Sequence, residues 1–302
     1  MDKQTAAETA TYRVNHITTY NYDTPVRVSH NLVMLVPRVE FGVDVSPSYK
    51  LTVKPVPLSI TRREDYFGNQ LHAFSLEENH RQLVVTASGQ VKVTPARISV
   101  SDPSPSWESV VQGVREQTDP RWMDVCQFQF PSTRIFLEEA YAEYARQCFV
   151  PQRPILEAGL ELTQRIYQDF EYDSKATHVY TPTLEAFGIR RGVCQDFAHV
   201  QIACLRSLGL SARYVSGYLR THPVPGKERL VGADQSHAWV SLYCGTEHGW
   251  VDLDPTNNRI CDCDHVPVAR GRDYDDVVPV RGVFLGGGRH RIDVSVDVCP
   301  VE

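Results

Sequence analysis

In Tyr12-Arg-Val14-Asn-His16-Ile-Thr18-Thr-Tyr20-Asn-Tyr22 the larger side chains return at every second position, the period of a strand with one buried face. The same alternation runs through Tyr49-Lys-Leu51-Thr-Val53 and again from Leu83 to Val93. Turn signals at Gly42, Pro47, Phe67-Gly68-Asn69 and Ser88-Gly89 separate these runs. Short strands with regular turns predict a β-rich, sandwich-like domain over residues 10–100. The proline- and serine-rich joint Ser101-Asp-Pro-Ser-Pro-Ser106 follows, and the period then becomes helical in Ile135 to Cys148 and Ile155 to Phe170. Pro151 and Pro154 part those two helices, because proline lacks the donor a helix interior needs. Beyond Ile189 the pattern gives one more helix and then strands to the C-terminus, so residues 101–302 read as a helical segment, a core and C-terminal strands. The class is α+β, without internal repeats.

Composition narrows the possibilities. Of 302 residues, 42% are hydrophobic and 23% charged, a balance that excludes disorder and fibrous repeats. The longest apolar stretches, such as Leu32-Val-Met-Leu-Val36, are strand-length, so no membrane partner is expected. A net charge of −6 without a basic cluster argues against nucleic acid. The first residues lack the apolar core of a secretory signal, and the eight cysteines are scattered, which together predict reduced thiols and a cytoplasmic location.

One of those thiols stands out. In Gly192-Val-Cys194-Gln-Asp-Phe-Ala-His-Val-Gln-Ile-Ala-Cys204-Leu-Arg-Ser-Leu-Gly209 the apolar positions Phe197, Val200, Cys204 and Leu208 share one helix face, and Gly209 supplies the stop. Cys194 therefore falls at the helix start, where unsatisfied backbone N–H groups and the positive dipole end favour a thiolate. Cys204 lies inside the apolar stripe and reads as an inert core residue. Downstream, Ser236-His237-Ala-Trp239-Val-Ser-Leu-Tyr243 and Trp250-Val-Asp-Leu-Asp254 flank a turn-like segment. A hairpin turning near residue 246 sets His237 across from Asp254, with Asp252 nearer Trp239; a two-residue slip exchanges the two carboxylates. Cys194, His237 and Asp254 then form a nucleophile, a base and an orienting carboxylate.

At these residues the chain resembles the transglutaminase-like superfamily, in particular its bacterial branch of cysteine protease candidates. The matching segments are Gly192-Val-Cys194-Gln-Asp-Phe-Ala198, Leu208-Gly-Leu-Ser-Ala-Arg213-Tyr-Val-Ser-Gly217-Tyr218, His237-Ala-Trp239 and Asp254-Pro-Thr-Asn257. The resemblance extends to His16-Ile-Thr-Thr-Tyr-Asn-Tyr22 and Asp65-Tyr-Phe-Gly-Asn69, and to Gly271-Arg-Asp-Tyr274 and Pro279-Val-Arg-Gly282. It implies a papain-like core, with the nucleophile at a helix N-terminus packed on an antiparallel sheet. The chemistry it implies is cysteine attack on a carboxamide, release of an amine and a thioester acyl-enzyme. An oxyanion stabiliser is also needed, and the backbone N–H groups of Cys194 and Gln195 are the candidates.

The remaining signals have simpler readings beside the functional ones. Asp196 in the first helical turn complements the dipole. Trp239 is a candidate substrate contact, whereas Trp250 reads as packing. Cys261-Asp-Cys-Asp-His265 is dense in metal-ligand types, but Cys-x-Cys is tighter than zinc spacing and no second ligand pair follows, so no metal is expected. Thr221-His-Pro-Val-Pro-Gly-Lys-Glu-Arg229 is a lid or a plain loop. The expected enzyme is a cofactor-free thiol hydrolase acting on a peptide or protein amide. An amine-transferring transglutaminase with the same residues and a non-catalytic binding module are the alternatives.

Overall fold

Strand β1 (Ala10–Val33) runs for 24 residues and buries Tyr12, Val14, His16, Thr18 and Tyr22 on one side, the alternation its sequence carries. The computed structural model describes residues 9–40, 42–99, 102–222 and 234–301. After β1 come β2 (Val43–Val45), β3 (Lys50–Lys54), β4 (Ile60–Glu64), β5 (Gln70–Leu76) and β6 (His80–Val93). Residues 10–21 of β1 pair antiparallel with β6, and residues 29–33 pair with β5, the partners changing across a register shift between Asn21 and Val26. A small core of Tyr22, Val26, Val33, Leu35, Val53, Phe74, Leu76, Leu83, Val85 and Ala87 fills this module.

Helices α1 (Trp107–Arg115), α2 (Trp122–Cys126), α3 (Glu139–Arg146) and α4 (Ile155–Asp169) follow. α4 begins one residue after Pro154, as the sequence predicts, while α3 starts four residues later than its apolar pattern. The short strands β7 (Glu171–Tyr172) and β8 (Arg191–Gly192) pair in parallel on either side of α5 (Thr183–Ile189). Next is α6 (Cys194–Ser207), followed by β9 (Ala212–Leu219), β10 (Gln235–Tyr243), β11 (Trp250–Asp254), β12 (Arg259–Ile260) and β13 (His265–Gly271). These five strands form one antiparallel sheet in the order β12-β11-β10-β9-β13.

Helix α6 lies against β9 and β10 and is buried nearly all round, including its polar residues. Two of these polar side chains bond to named partners. Gln201 Nε2 donates to Thr163 Oγ1 at 2.8 Å, and the Arg206 guanidinium donates to the carbonyls of Ala212 and Arg272 at 2.8 and 2.7 Å.

The C-terminal strands correct the expected division of the chain. β14 (Val280–Gly286) and β15 (His290–Pro300) do not extend the second sheet; both pair with β1, making the first sheet eight-stranded. The boundary near residue 100 marks a change of composition, but the β-rich module is closed by residues 280–300. Long-range pairing carries no local signature, so the sequence pattern could not place these strands.

The two sheets are locked together. Tyr218 Oη donates to the Leu35 carbonyl at 3.2 Å, and Tyr12 Oη to Asp264 Oδ1 at 3.2 Å. Asn69 makes a reciprocal pair with the backbone of Arg270, 2.8 Å in each direction. Asp65 holds the turn that presents Asn69, accepting the N–H groups of Phe67 and Asn69 at 2.9 and 2.8 Å. The Asp65–Asn69 segment thus docks the β-rich module on β13.

Candidate thiol site

Gly192 and Asp196 build the start of α6. Asp196 Oδ2 accepts the Val193 N–H at 2.8 Å and the Thr177 hydroxyl at 2.7 Å, while burial pushes its carboxyl above the usual range against these bonds. A Cβ on Gly192 would come within 2.4 Å of that same oxygen, so only glycine fits. The Val193 carbonyl takes the N–H groups of Asp196 and Phe197 at 2.9 and 3.1 Å. Among the described residues no partner is recorded for the N–H groups of Cys194 and Gln195, the two expected at an oxyanion. The Gln195 side chain is committed elsewhere, donating to the Val179 carbonyl at 3.2 Å.

Cys194 is half-buried at this helix start, and its sulfur lies close enough to His237 to raise that imidazole. His237 is buried on β10, and its Nε2 lies 2.8 Å from Oδ2 of the wholly buried Asp254. Burial works against charge on this imidazole, but the hydrogen bond to Asp254 and the nearby Cys194 sulfur outweigh it and raise the group to about 10. Burial likewise opposes charge on Asp254, yet hydrogen bonds from His237 and His265 hold its carboxyl well below the usual range. The arrangement sets the His237 imidazole between the Asp254 carboxylate and the Cys194 sulfur.

The structure brings Cys194, His237 and Asp254 together by a register other than the expected one. The ladder pairs Val240 with Leu253, Ser241 with Asp252 and Tyr243 with Trp250, two residues away from the register that sets His237 opposite Asp254. His237 pairs instead with Gly217 of β9. The side chains reach diagonally: His237 to Asp254, and Trp239 Nε1 to Asp252 Oδ2 at 2.9 Å. Lean along the strand restores the contact that the ladder alone would remove.

Trp239 presents no exposed surface to a substrate. It is wholly buried, its N–H is held by Asp252, its ring meets His265 edge-on at 5.3 Å, and Gly217 beneath it leaves no room for a Cβ. Its surface is spent on packing, which corrects the expected substrate contact. Trp250 packs against Phe128 and Tyr243 at centroid distances of 5.4 Å, with Arg213 over its ring. Cys204 is wholly buried, and burial pushes its thiol up. The segment Thr221–Arg229 falls outside the described residues apart from Thr221 and His222.

Two supporting groups were missed. Asn257 donates to Asp254 Oδ2 at 2.7 Å, and His265, on β13, places Nε2 3.1 Å from the same oxygen. The signals were present, Asn257 in the Asp254-Pro-Thr-Asn257 motif and His265 in the dense Cys261–His265 run. Within that run His265 turns to Asp254 and Asp262, and Asp264 to Tyr12 and His222. Ligand atoms of His237, Asp254 and His265 lie within 4.8 Å of one another, which makes these three the described residues able to share an ion; hydrogen bonds already engage all of them. Behind them Arg270 pairs with Glu40 at 2.7 Å and Asp252 at 3.0 Å, tying the β-rich module to the site.

Residues 12–92 match the bacterial transglutaminase-like N-terminal region, and residues 142–255 match the transglutaminase-like superfamily. An uncharacterized protein of Mycobacterium tuberculosis is 39% identical over 298 residues, covering 96% of this chain and 93% of that one. Another from Mycobacterium leprae is 31% identical over 290 residues, covering 95% and 97%. Among solved structures, a candidate cysteine protease from Cytophaga hutchinsonii matches with a TM-score of 0.72 at 20% identity, covering 98% of this chain and 92% of that one. That likeness extends over both sheets and concerns the fold.

Proposed function

The chain belongs to the transglutaminase-like superfamily, and from that premise we propose that it is a thiol-dependent hydrolase of a peptide, isopeptide or related amide. The observation that carries this reading is the buried imidazole of His237, held by Asp254 at 2.8 Å and raised by the Cys194 sulfur beside it. With the thiol proton already held on His237, Cys194 Sγ attacks the amide carbonyl as the thiolate. The carbonyl oxygen takes up negative charge, for which the N–H groups of Cys194 and Gln195 at the α6 start are the candidate donors. Collapse breaks the C–N bond, His237 delivers its proton to the leaving amine, and a thioester remains on Cys194. Water then gives a proton to His237 and attacks the thioester, releasing the carboxylic acid and restoring the thiolate.

Hydrolysis is favoured over amine transfer because transfer needs a dedicated acceptor-amine site to outcompete water, and among the described residues none is recognisable beside Cys194. The cytoplasm is the proposed compartment, supported by the scatter of the eight cysteines along the chain. The test is incubation of the protein and its Cys194→Ala variant with a peptide library and a biotinylated primary amine. New amino termini that depend on Cys194 support the hydrolase. Biotin attached to acceptor glutamines identifies the transferase, and neither product with active-site thiol reactivity lost returns the binding module.

A further inference from the structure

His265 has no step in the reaction above, yet it is 2% exposed and aimed at the carboxylate the reaction uses. Asp254 is an acceptor only, so each nitrogen bonded to it presents a hydrogen. Oδ1 accepts the N–H groups of Thr256 and Asn257 at 2.9 and 3.2 Å. Oδ2 accepts from Asn257 Nδ2 at 2.7 Å, His237 Nε2 at 2.8 Å and His265 Nε2 at 3.1 Å. Thr256 and Asn257 belong to the carboxylate's own turn, and His237 is the group it serves. His265 is the donor that reaches it from a separate strand, β13.

His265 is itself held. Its Nδ1 meets the Asp262 N–H at 3.2 Å and Asp262 Oδ1 at 3.1 Å, and Arg259 pairs with the other Asp262 oxygen at 3.2 Å. Its ring packs edge-on against Trp239, which Asp252 fixes through the indole N–H. The titratable and charged groups around the pair are Asp262, Arg259 and Cys261 on its loop side, Asp254 and Asp252 from β11, His237 from β10 and Cys194 beyond it from α6.

We propose that His265 is a positioning residue of the thiol site: its Nε2–H keeps the Asp254 carboxylate turned to His237, with Asp262 and Trp239 holding the ring in place. This rests on the reading of Cys194, His237 and Asp254 as the reacting set. It also gives the Cys261–His265 run a role in supporting that set.

The test compares His265→Gln with His265→Met, side chains of nearly equal shape of which only glutamine carries an N–H donor. Alkylation of Cys194 by iodoacetamide is followed by mass spectrometry from pH 5 to 9, with Cys126 as the half-buried reference thiol. The expected result is Cys194 labelling about tenfold slower at pH 6 in His265→Met, the scale of losing an outer-shell hydrogen bond to a reacting group. Its acid limb moves to higher pH, while His265→Gln keeps the wild-type profile and most of the rate. Equal loss in both variants overturns the proposal in favour of packing, and no loss in either overturns it outright. Should wild-type Cys194 label no faster than Cys126, the thiol-site reading fails and the inference with it. Should the methionine variant not fold, nitrogen NMR of wild-type His265 decides: a protonated Nε2 is expected, and an unprotonated Nε2 overturns the proposal.

Discussion

Oδ2 of Asp254 lies 2.8 Å from Nε2 of His237 although the two residues are not opposite each other in the hairpin, whose ladder stops at Val240 and Leu253. The contact is diagonal, and five hydrogen bonds hold the carboxylate that makes it. Replacing Asp254 by Ala leaves His237, His265 and Asn257 donating into a buried void. A loss of about 3 kcal/mol in urea unfolding is expected, the scale for breaking a buried charge pair. Amide cleavage is expected to fall on the order of 10³-fold, since the base loses its orientation. An unchanged turnover removes Asp254 from the reacting set.

The raised His237 fixes the sign of one pH limb. Its imidazolium is present below its folded value of about 10 and is lost as pH rises through it. Amide cleavage therefore holds through neutral pH and declines near pH 10, when no proton remains for the leaving amine. A decline centred near the ordinary imidazole value of about 6.5 contradicts this coupling.

At the acid end the depressed carboxyl groups of Asp254, Asp252 and Glu40 act together. Their contribution is present above the unfolded carboxylate value of about 4 and is lost as pH falls through their folded values. Melting temperature is expected to drop steeply below about pH 4, and Asp254→Asn to flatten that drop. A variant as steep as wild type shows that other groups control acid unfolding.

Arg270 joins Glu40, Asp252 and Asn69, so Arg270→Met leaves the largely buried Asp252 without its cation and Glu40 with Arg38 alone. A cost of about 3–5 kcal/mol is expected in denaturant unfolding. Adding Glu40→Gln recovers part of it, which a double-mutant cycle measures. Strict additivity of the two changes means that the pair is not coupled.

Gly192→Ala drives a Cβ against Asp196 Oδ2 and displaces the side chain that holds the Val193 N–H. About 1–2 kcal/mol of stability should be lost, as for a broken helix cap. Cys194 alkylation should slow with it, because the start of α6 shifts. Unimpaired labelling of a folded variant separates the cap from the thiol's environment.

Periodicity made β1, α4 and α6 legible, and the helix stop at Gly209 together with the two partner motifs made Cys194, His237 and Asp254 legible, because each depends on residues near in sequence. The hairpin's length was legible as well, but not its register or the diagonal lean that lets His237 reach Asp254 and commits Trp239 to Asp252. Tertiary structure alone decided that β14 and β15 return to β1, that Arg270 and Asn69 bind the modules, and that His265 meets Asp254. These contacts join residues that share no local period. Their geometry is set by the burial of two sheets against one helix-bearing core, which a one-dimensional pattern does not encode.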